Sequence, residues 1–242
     1  MWFALLFLSV AAVNGVPTLR VVGSQDAPDG KYPYQVSLNV SGWHSCGGSI
    51  ISNRFILTAA HCVLDVPKSF MTIIAGTNSL SKGGNVYKVD EIFIHDFSPS
   101  IFINDIALIR TASEIEFSGD KVQPIKLSEY NFHAHGDPVV FIGWGYTSDA
   151  LGAKLPDKLQ EINLKIYEQS ECQKTWGDVP ESQICTLTEK GEGACMGDSG
   201  GSLIADGVQI GIVSFGVPCA QGYPDVYTRV FYYAEWIKEI IS

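Results

Sequence analysis

Short apolar runs recur along most of this chain, and they constrain its fold more than any other feature of the sequence. The runs are of strand length, are often β-branched, and are separated by Gly, Pro, Asn or Asp. They form two series, at 34–40, 49–51, 55–58, 71–75 and 106–109, and then at 138–142, 160–164, 201–204 and 208–213. Many short strands with glycine-rich turns are typical of all-β sandwiches and barrels. We therefore predict an all-β chain of two similar barrels, joined around residues 120–135.

Helical periodicity is confined to the C-terminal segment. Apolar residues recur at 230, 233, 237, 240 and 241, which is the spacing of an amphipathic helix. We predict an α-helix over about 230–241 that docks the C-terminus onto a barrel.

The N-terminal segment predicts export. Residues 2–13 are continuously apolar, but this run is too short to span a bilayer, and small residues follow it. We interpret residues 1–15 as a signal peptide that is cleaved near Gly15. No later apolar run approaches membrane length, so we expect a secreted, extracellular protein without a membrane partner. The net charge of −10 argues against a nucleic acid partner.

Six cysteines in a secreted chain indicate disulfides. They lie at positions 46, 62, 172, 185, 195 and 219. The sequence alone leaves their connectivity open, although pairing nearest neighbours would close three local loops. No Cys-x-x-Cys spacing is present, so a zinc site is not expected.

Asn39-Val40-Ser41 has the pattern of an N-glycosylation sequon. The pattern is short and of low specificity, so the sequence leaves open whether Asn39 is modified.

The stretch Gly193-Ala194-Cys195-Met196-Gly197-Asp198-Ser199-Gly200-Gly201 surrounds one hydroxyl with small residues. Glycines on both sides of a serine allow a sharp turn that exposes the hydroxyl. They also leave backbone N–H groups free to bind an anion, as catalysis by a serine nucleophile requires. Taken alone, the stretch is equally compatible with a glycine-rich turn around a solvated serine.

A serine nucleophile needs a base and an acid that orients the base. His61, in Thr58-Ala59-Ala60-His61-Cys62, can take the proton of Ser199, because imidazole has a pKa near working pH. Asp105, at the start of an apolar strand, can fix the tautomer of His61. The backbone N–H groups of Gly197 and Ser199 would bind the oxyanion. Each residue taken alone has a plainer interpretation, as a structural histidine or a turn acid.

Further strings strengthen this interpretation through their order along the chain. The full set lies at 20–23, 32–38, 46–50, 57–62, 104–108, 143–145, 197–201 and 211–214. In this combination the chain resembles the trypsin/chymotrypsin family of serine endopeptidases over residues 21–242, and most of all the arthropod chymotrypsin-like proteases.

The resemblance implies a fold and an arrangement of the site. It implies two six-stranded antiparallel β-barrels, over about 21–125 and 126–230, with the triad in the cleft between them. His61 and Asp105 would come from the first barrel and Ser199 from the second, and Ser214 would bond the triad aspartate. The implied disulfides are Cys46–Cys62, Cys172–Cys185 and Cys195–Cys219.

The resemblance also implies activity, activation and partners. Residues 16–20 would be a pro-segment that a trypsin-like protease removes by cleaving after Arg20. The new α-amino group of Val21 would pair with Asp198 and organise the oxyanion donors and the pocket. Protein or peptide substrates and protein protease inhibitors are the other expected partners, and we expect a monomer with no cofactor. A non-catalytic homologue that acts as a binding protein is the competing function, but such proteins usually lack a triad residue.

The substrate pocket is implied to combine two departures from trypsin. Gly193 stands at the pocket floor, where trypsins have an aspartate, which favours large apolar P1 residues. Asp225 stands where a pocket-lining glycine is usual, and could attract Lys or Arg or narrow the pocket base. The combination is similar to some arthropod chymotrypsins and crustacean collagenolytic proteases of broad preference. The other residues implied to form the pocket and neighbouring subsites are Ala194, Met196, Ser214, Phe215, Gly216 and Phe102.

No metal is expected. The loop Thr77 to Asn85 contains no carboxylate, so it lacks the charged oxygen ligands of a trypsin-type calcium loop. His133 and His135 alternate and could face one way, but a solvated linker is the favoured interpretation.

Overall fold

The computed structural model describes residues 23–131, 134–148, 150–187 and 189–242. The predicted signal peptide and pro-segment, Val21 and His133 lie outside these residues, and their predictions stay untested. No helix in the described part of the chain is both long and apolar enough to cross a bilayer.

The described residues form fourteen strands and two α-helices. In chain order the strands are β1 (Gln25–Asp26), β2 (Gln35–Val40), β3 (Trp43–Ile50), β4 (Phe55–Thr58), β5 (Met71–Ala75), β6 (Asn85–Ile94), β7 (Ala107–Thr111), β8 (Lys126–Leu127), β9 (Pro138–Gly143), β10 (Gln160–Tyr167), β11 (Gln183–Thr186), β12 (Ser202–Ala205), β13 (Val208–Phe215) and β14 (Asp225–Arg229). The helices are α1 (Gln169–Trp176) and α2 (Ala234–Ile241), and 3-10 turns occur at Ala60–Cys62, Lys68–Phe70 and Val230–Tyr233.

Strands β2 to β7 close a first antiparallel barrel in the order β2-β3-β4-β7-β6-β5. Its interior contains side chains that alternate along the strands, such as Leu38 and Val36 of β2, both fully buried. Strands β9 to β14 form the second barrel, which the pairing of β9 with β10 closes. Phe141, Leu203 and Tyr227 fill its core. The predicted fold of two six-stranded antiparallel barrels is therefore confirmed.

The barrels approach each other closely at two glycines. A β-carbon on Gly47 of β3 would lie 3.0 Å from the α-carbon of Gly201, which leaves no room for a side chain. The Gly47 N–H also donates to the carbonyl of Ser199 at 2.8 Å. A buried side-chain bond, from Ser49 to Gln209 at 2.6 Å, adds to this contact. The interface therefore fixes the serine stretch against the first barrel.

The N-terminal end of the described chain packs on the second barrel, and the C-terminal end packs on the first. Strand β1 pairs with β10 of the second barrel, and the Glu161 carboxylate on β10 accepts bonds from Gln25, Lys31 and Tyr32. At the other end, Tyr233 and Ile237 join the core of the first barrel. The predicted C-terminal helix is thus present, beginning as a 3-10 turn.

The prediction that helix occurs only at the C-terminus is wrong, because helix α1 is also present. Cys172 is its one fully buried residue, and no side chain caps its N-terminus. The helix therefore has no apolar stripe, and its sequence shows no helical periodicity by which it could be predicted. The disulfide from Cys172 to Cys185 of β11 attaches the helix to the second barrel.

The three disulfides join Cys46 to Cys62, Cys172 to Cys185 and Cys195 to Cys219. These are the nearest-neighbour pairs that the resemblance implied. No described cysteine is free.

Candidate active site

The Asp105 carboxylate lies at the interface of the two barrels and holds His61. Asp105 is fully buried and lies two residues before β7 begins. Its Oδ2 lies 2.7 Å from Nδ1 of His61, and its Oδ1 accepts a bond from the His61 backbone N–H at 2.9 Å. Ser214 of β13 donates its hydroxyl to Oδ2 at 2.6 Å. Because the carboxylate accepts the Nδ1 proton, Nε2 of His61 is left as the basic nitrogen.

His61 takes its position from a short turn and a disulfide. The 3-10 turn Ala60–Cys62 follows β4, and Cys62 is bonded to Cys46 in β3. Ala60 and the half-cystine Cys62 of this turn are buried, so the imidazole is its one side chain directed into the cleft. About a quarter of the imidazole is exposed, since its side chain is 23% accessible.

Ser199 lies on a tight turn with glycines on either side. The Asp198 N–H donates to the Cys195 carbonyl at 3.1 Å, and the Gly201 N–H donates to the Asp198 carbonyl at 2.9 Å. Gly200 has a φ of 75°, and a β-carbon there would overlap Thr58 and the Gly47 carbonyl. Glycine is therefore required beside the serine by both conformation and space.

Ser199 and His61 border the same cleft. Within the described residues, no hydrogen bond joins the Ser199 hydroxyl to His61. Catalytic hydrogen bonds are often long in the absence of substrate and shorten when it binds, so this separation is compatible with proton transfer.

The backbone beside Ser199 offers two free donors. Neither the Gly197 N–H nor the Ser199 N–H bonds another described group. The carbonyl of Gly197 lies 2.9 Å from Nε2 of His44, which fixes that peptide against β3. The two N–H groups can therefore bind an oxygen that gains negative charge.

Asp198 is fully buried behind the serine. Its carboxylate accepts the Gly145 N–H at 2.6 Å and the Cys195 N–H at 2.9 Å. A β-carbon on Gly143 or Gly145 would overlap this carboxylate, so those glycines make its space. Burial raises the pKa of Asp198 to about 7, although the two hydrogen bonds lower it. No described cation pairs with it.

A pocket of about 240 Å³ opens beside Ser199. It is bordered by His61, Phe102, Ala194, Cys195, Met196, Ser199, Val213, Ser214, Phe215, Gly216, Pro218 and Asp225. The predicted pocket residues are therefore brought together, and Gly193 lies next to them against Asp225. Val213, Cys195 and Pro218 were missed, although each is within two residues of one that was named.

Asp225 forms the polar base of this pocket and is 6% exposed. Its Oδ2 accepts the backbone N–H of Ala194 at 2.7 Å. A β-carbon on either Gly193 or Gly216 would lie 2.6 Å from its carboxylate oxygens. Burial raises the pKa of Asp225 to about 7, the Ala194 bond lowers it, and the nearby Asp198 raises it.

A second cleft, of about 340 Å³, lies next to the pocket, and three of its lining residues are aromatic, Phe102, Trp176 and Phe215. Phe102 stands between His61 and Phe215, with ring centroids 5.7 Å and 5.5 Å away. Trp176 packs edge-on against Phe215 at 5.4 Å. The sequence predicted Phe102 and Phe215 here but missed Trp176, because helix α1, which carries it, was not predicted.

The described residues contain one cluster with the spacing of metal ligands, Cys46, His61 and Cys62. Both cysteines are bonded to each other, so neither offers a thiolate. The ring of His135 packs on Tyr167 with centroids 6.1 Å apart.

The comparisons with known proteins agree with this geometry. A family model described as trypsin matches residues 21–237. The chain belongs to the trypsin family. This trypsin-family protein is a serine endopeptidase, and proteins are its substrates.

Curated and solved relatives cover nearly all of the trypsin-family domain. The chain is 50% identical to chymotrypsin-2 of Vespa crabro over 90% of its own length and 99% of that protein. It is 39% identical to trypsin II-P29 of Gallus gallus, over 100% of the chain and 99% of that protein. Its structure is similar to that of mouse neuropsin, a serine protease, with a TM-score of 0.83 and 30% identity over 90% of this chain and 99% of that chain.

Proposed function

We propose that this trypsin-family protease is a secreted, chymotrypsin-like enzyme that cleaves after large apolar residues, with Lys and Arg as a second class. It is made as a zymogen and activated by cleavage after Arg20. The observation that carries the P1 preference is the pocket itself, whose walls are largely apolar and whose base is the buried Asp225.

The catalytic roles follow from the bonds around His61. Ser199 attacks the substrate carbonyl while Nε2 of His61 takes its proton, since Nδ1 is directed at Asp105. The tetrahedral oxygen is bound by the N–H groups of Gly197 and Ser199. Protonated His61 then gives its proton to the leaving amine, which forms the acyl-enzyme, and water repeats the sequence in reverse. Asp105 stabilises the imidazolium at each stage, and Ser214 holds the carboxylate.

Activation is supported by the environment of Asp198. A fully buried carboxylate with two backbone donors and no described cation is destabilised by burial, which is why its pKa is raised. The α-amino group that cleavage after Arg20 creates on Val21 would supply the missing positive charge. The pair would then hold the turn that carries Gly197 and Ser199. In the uncleaved chain the amide nitrogen of Val21 carries no charge, so the turn lacks this support.

The P1 preference follows from the position of charge in the pocket. Large apolar side chains can contact Val213, Phe215 and the Cys195–Cys219 disulfide along the walls. The Asp225 carboxylate accepts a hydrogen bond from the Ala194 N–H and is buried below these walls. Only a long P1 side chain can therefore reach it. Lys and Arg have the length and charge to approach it. The aromatic cleft of Phe102, Phe215 and Trp176 would take an apolar residue further from the scissile bond.

The experiment that tests this function is a P1 profile of the processed enzyme, with an active-site titration by an acylating reagent. We expect stoichiometric acylation, highest kcat/KM for Phe, Tyr, Leu or Met, and lower but measurable kcat/KM for Lys and Arg. The variant Asp225→Gly should lose cleavage after Lys and Arg and keep cleavage after Phe. Absence of acylation would favour the non-catalytic binding protein. Unaltered cleavage after Lys and Arg in Asp225→Gly would remove Asp225 as their selector.

A further inference from the structure

A further groove, which we call the outer groove, lies beside the turn that carries the oxyanion donors. It is bordered by Asn39, Gly42, Trp43, His44, Leu80, Ser81, Leu155, Pro156 and Asp157. His44 joins it to the active site, because its Nε2 lies 2.9 Å from the Gly197 carbonyl. A substrate whose P1 residue occupies the P1 pocket can extend into this groove with the residues that follow the scissile bond.

Asn39 on the edge of this groove is the first residue of the sequon Asn39-Val40-Ser41. The sequon runs from the end of β2 into a two-residue hairpin turn, where Ser41 has a φ of 53° and Gly42 a φ of 86°. Turns of this kind are at the surface, where oligosaccharide can be accommodated.

The amide of Asn39 has its nitrogen available. The Ser37 hydroxyl lies 2.6 Å from Oδ1 of Asn39 and 2.7 Å from Nδ1 of His44. Nδ2 has no hydrogen-bond partner among the described residues. The buried side-chain polar atoms without a partner in this part of the chain are His95 Nδ1 and Gln183 Oε1, so Nδ2 of Asn39 is reached by solvent.

Apolar side chains also line the outer groove. Trp43, across the hairpin from Val40, is 81% exposed. Leu80 and Leu155, both half-buried, line the outer groove as well. A sugar attached to Nδ2 at the edge of this groove would cover part of the groove's apolar lining.

We propose that Asn39 is N-glycosylated and that its glycan covers the outer groove, limiting access of protein chains to the leaving-group side of the cleft. The donor is a lipid diphosphate-linked oligosaccharide of the secretory pathway. Nδ2 gives up one proton and bonds to the anomeric carbon of the sugar. The bond from that carbon to the lipid diphosphate breaks, and the diphosphate leaves with the electron pair. This inference rests on the proposed secretion.

The test is expression of the full chain in cultured insect cells, with mass spectrometry of the protein from the medium before and after peptide N-glycosidase. We expect a mass loss on treatment, and conversion of Asn39 to aspartate in the peptide that contains it. Two variants should abolish the shift, Asn39→Gln and Ser41→Gly. Glycine is accepted at 41 because the φ there is positive. The control Val40→Ile keeps the sequon and should keep the shift.

The second readout is kinetic, on peptides that share the residues before the scissile bond. One ends in a small leaving group, and the other continues for several residues beyond the bond. Deglycosylation should raise kcat/KM for the extended peptide by about fivefold and leave the short substrate unchanged.

The outcomes separate this inference from the proposed function. Secreted, active protein with no mass shift would overturn the glycan and leave the protease function intact. A glycan whose removal changes both substrates alike would overturn its role at the outer groove. Retention of the chain in the cytoplasm would contradict the proposed secretion, and with it the glycan.

Discussion

Gly193 and Asp225 share one space at the base of the P1 pocket, since a β-carbon on Gly193 would lie 2.6 Å from Oδ2 of Asp225. An aspartate at 193 would therefore meet the carboxylate already present. We expect Gly193→Asp alone to lower kcat/KM more than about tenfold on every substrate, because two buried carboxylates repel and displace each other. The double variant Gly193→Asp with Asp225→Gly removes the conflict and should prefer Lys and Arg. Values of kcat/KM on Phe, Lys and Arg substrates test both variants. High activity of Gly193→Asp alone on Lys and Arg substrates would contradict the proposed conflict between the two carboxylates.

P1 preference should depend on pH through Asp225. Its pKa is raised to about 7 by burial, so it is mostly neutral below that pH and charged above it. Asp198 and Tyr227 are its titratable neighbours, and His61 is the other titratable side chain that lines the pocket. We expect the ratio of kcat/KM for Lys to that for Phe to rise about tenfold from pH 6 to pH 8. The ratio cancels the effect of pH on the catalytic steps that both substrates share. In Asp225→Asn it should be flat.

Activation should depend on the bond after Arg20. We expect Arg20→Gln to remain uncleaved by trypsin-like proteases and to have at least about 100-fold lower kcat, because the oxyanion donors are not organised. N-terminal sequencing and active-site titration measure processing and activity separately. Arg20→Lys keeps a cleavable bond and should behave as the parent protein. Full activity of unprocessed Arg20→Gln would exclude the proposed pairing of Val21 with Asp198.

Ser214 should act by positioning the Asp105 carboxylate. Its removal in Ser214→Ala leaves Oδ2 with one donor fewer in a fully buried site. We expect kcat to fall about tenfold with KM unchanged, and stability to fall by about 1–3 kcal/mol. The matched control is Thr228→Val, which removes a buried bond to the backbone carbonyl of Asp105 at 2.7 Å and not to its carboxylate. Equal losses of kcat in both variants would mean that Ser214 is only structural.

The C-terminal helix should stabilise the first barrel. Ile237 is 2% exposed within the core of that barrel, whereas Ile241 on the same helix is 37% exposed. We expect Ile237→Ala to lower the free energy of unfolding by about 2–5 kcal/mol, and Ile241→Ala by less than about 1 kcal/mol. Denaturant titration measures both. Similar losses in the two variants would indicate that the helix does not pack in this way.

The sequence predicted strands where apolar residues alternate or run together, as in β2 and β13. It missed β6, in which Lys88, Asp90 and Glu91 interrupt the apolar pattern because much of that strand is exposed. It also missed β11 and β14, whose polar residues Gln183, Thr186, Asp225 and Thr228 are buried and form hydrogen bonds to distant segments.

The candidate site was predicted more completely than its supports. Residues that do chemistry occur in short local strings, so His61, Asp105 and Ser199 could be named from sequence. The bond from Ala194 to Asp225 and the edge-on contact of Trp176 with Phe215 join segments far apart in the chain. Such contacts depend on strand register and helix placement, which periodicity does not specify.

The crossing of the two chain ends has a consequence for a nicked molecule. Residues 116–121, between the barrels, are exposed. A cut there would leave two fragments, and each would still bind one end of the other. Strand β1 of the first fragment would remain in the second barrel's sheet, and Ile237 of the second fragment would remain in the first barrel's core. Separation of the fragments would expose β1 and Ile237 at the same time, so the fragments should stay together. The cleft between the barrels should then keep its shape after the covalent connection is lost.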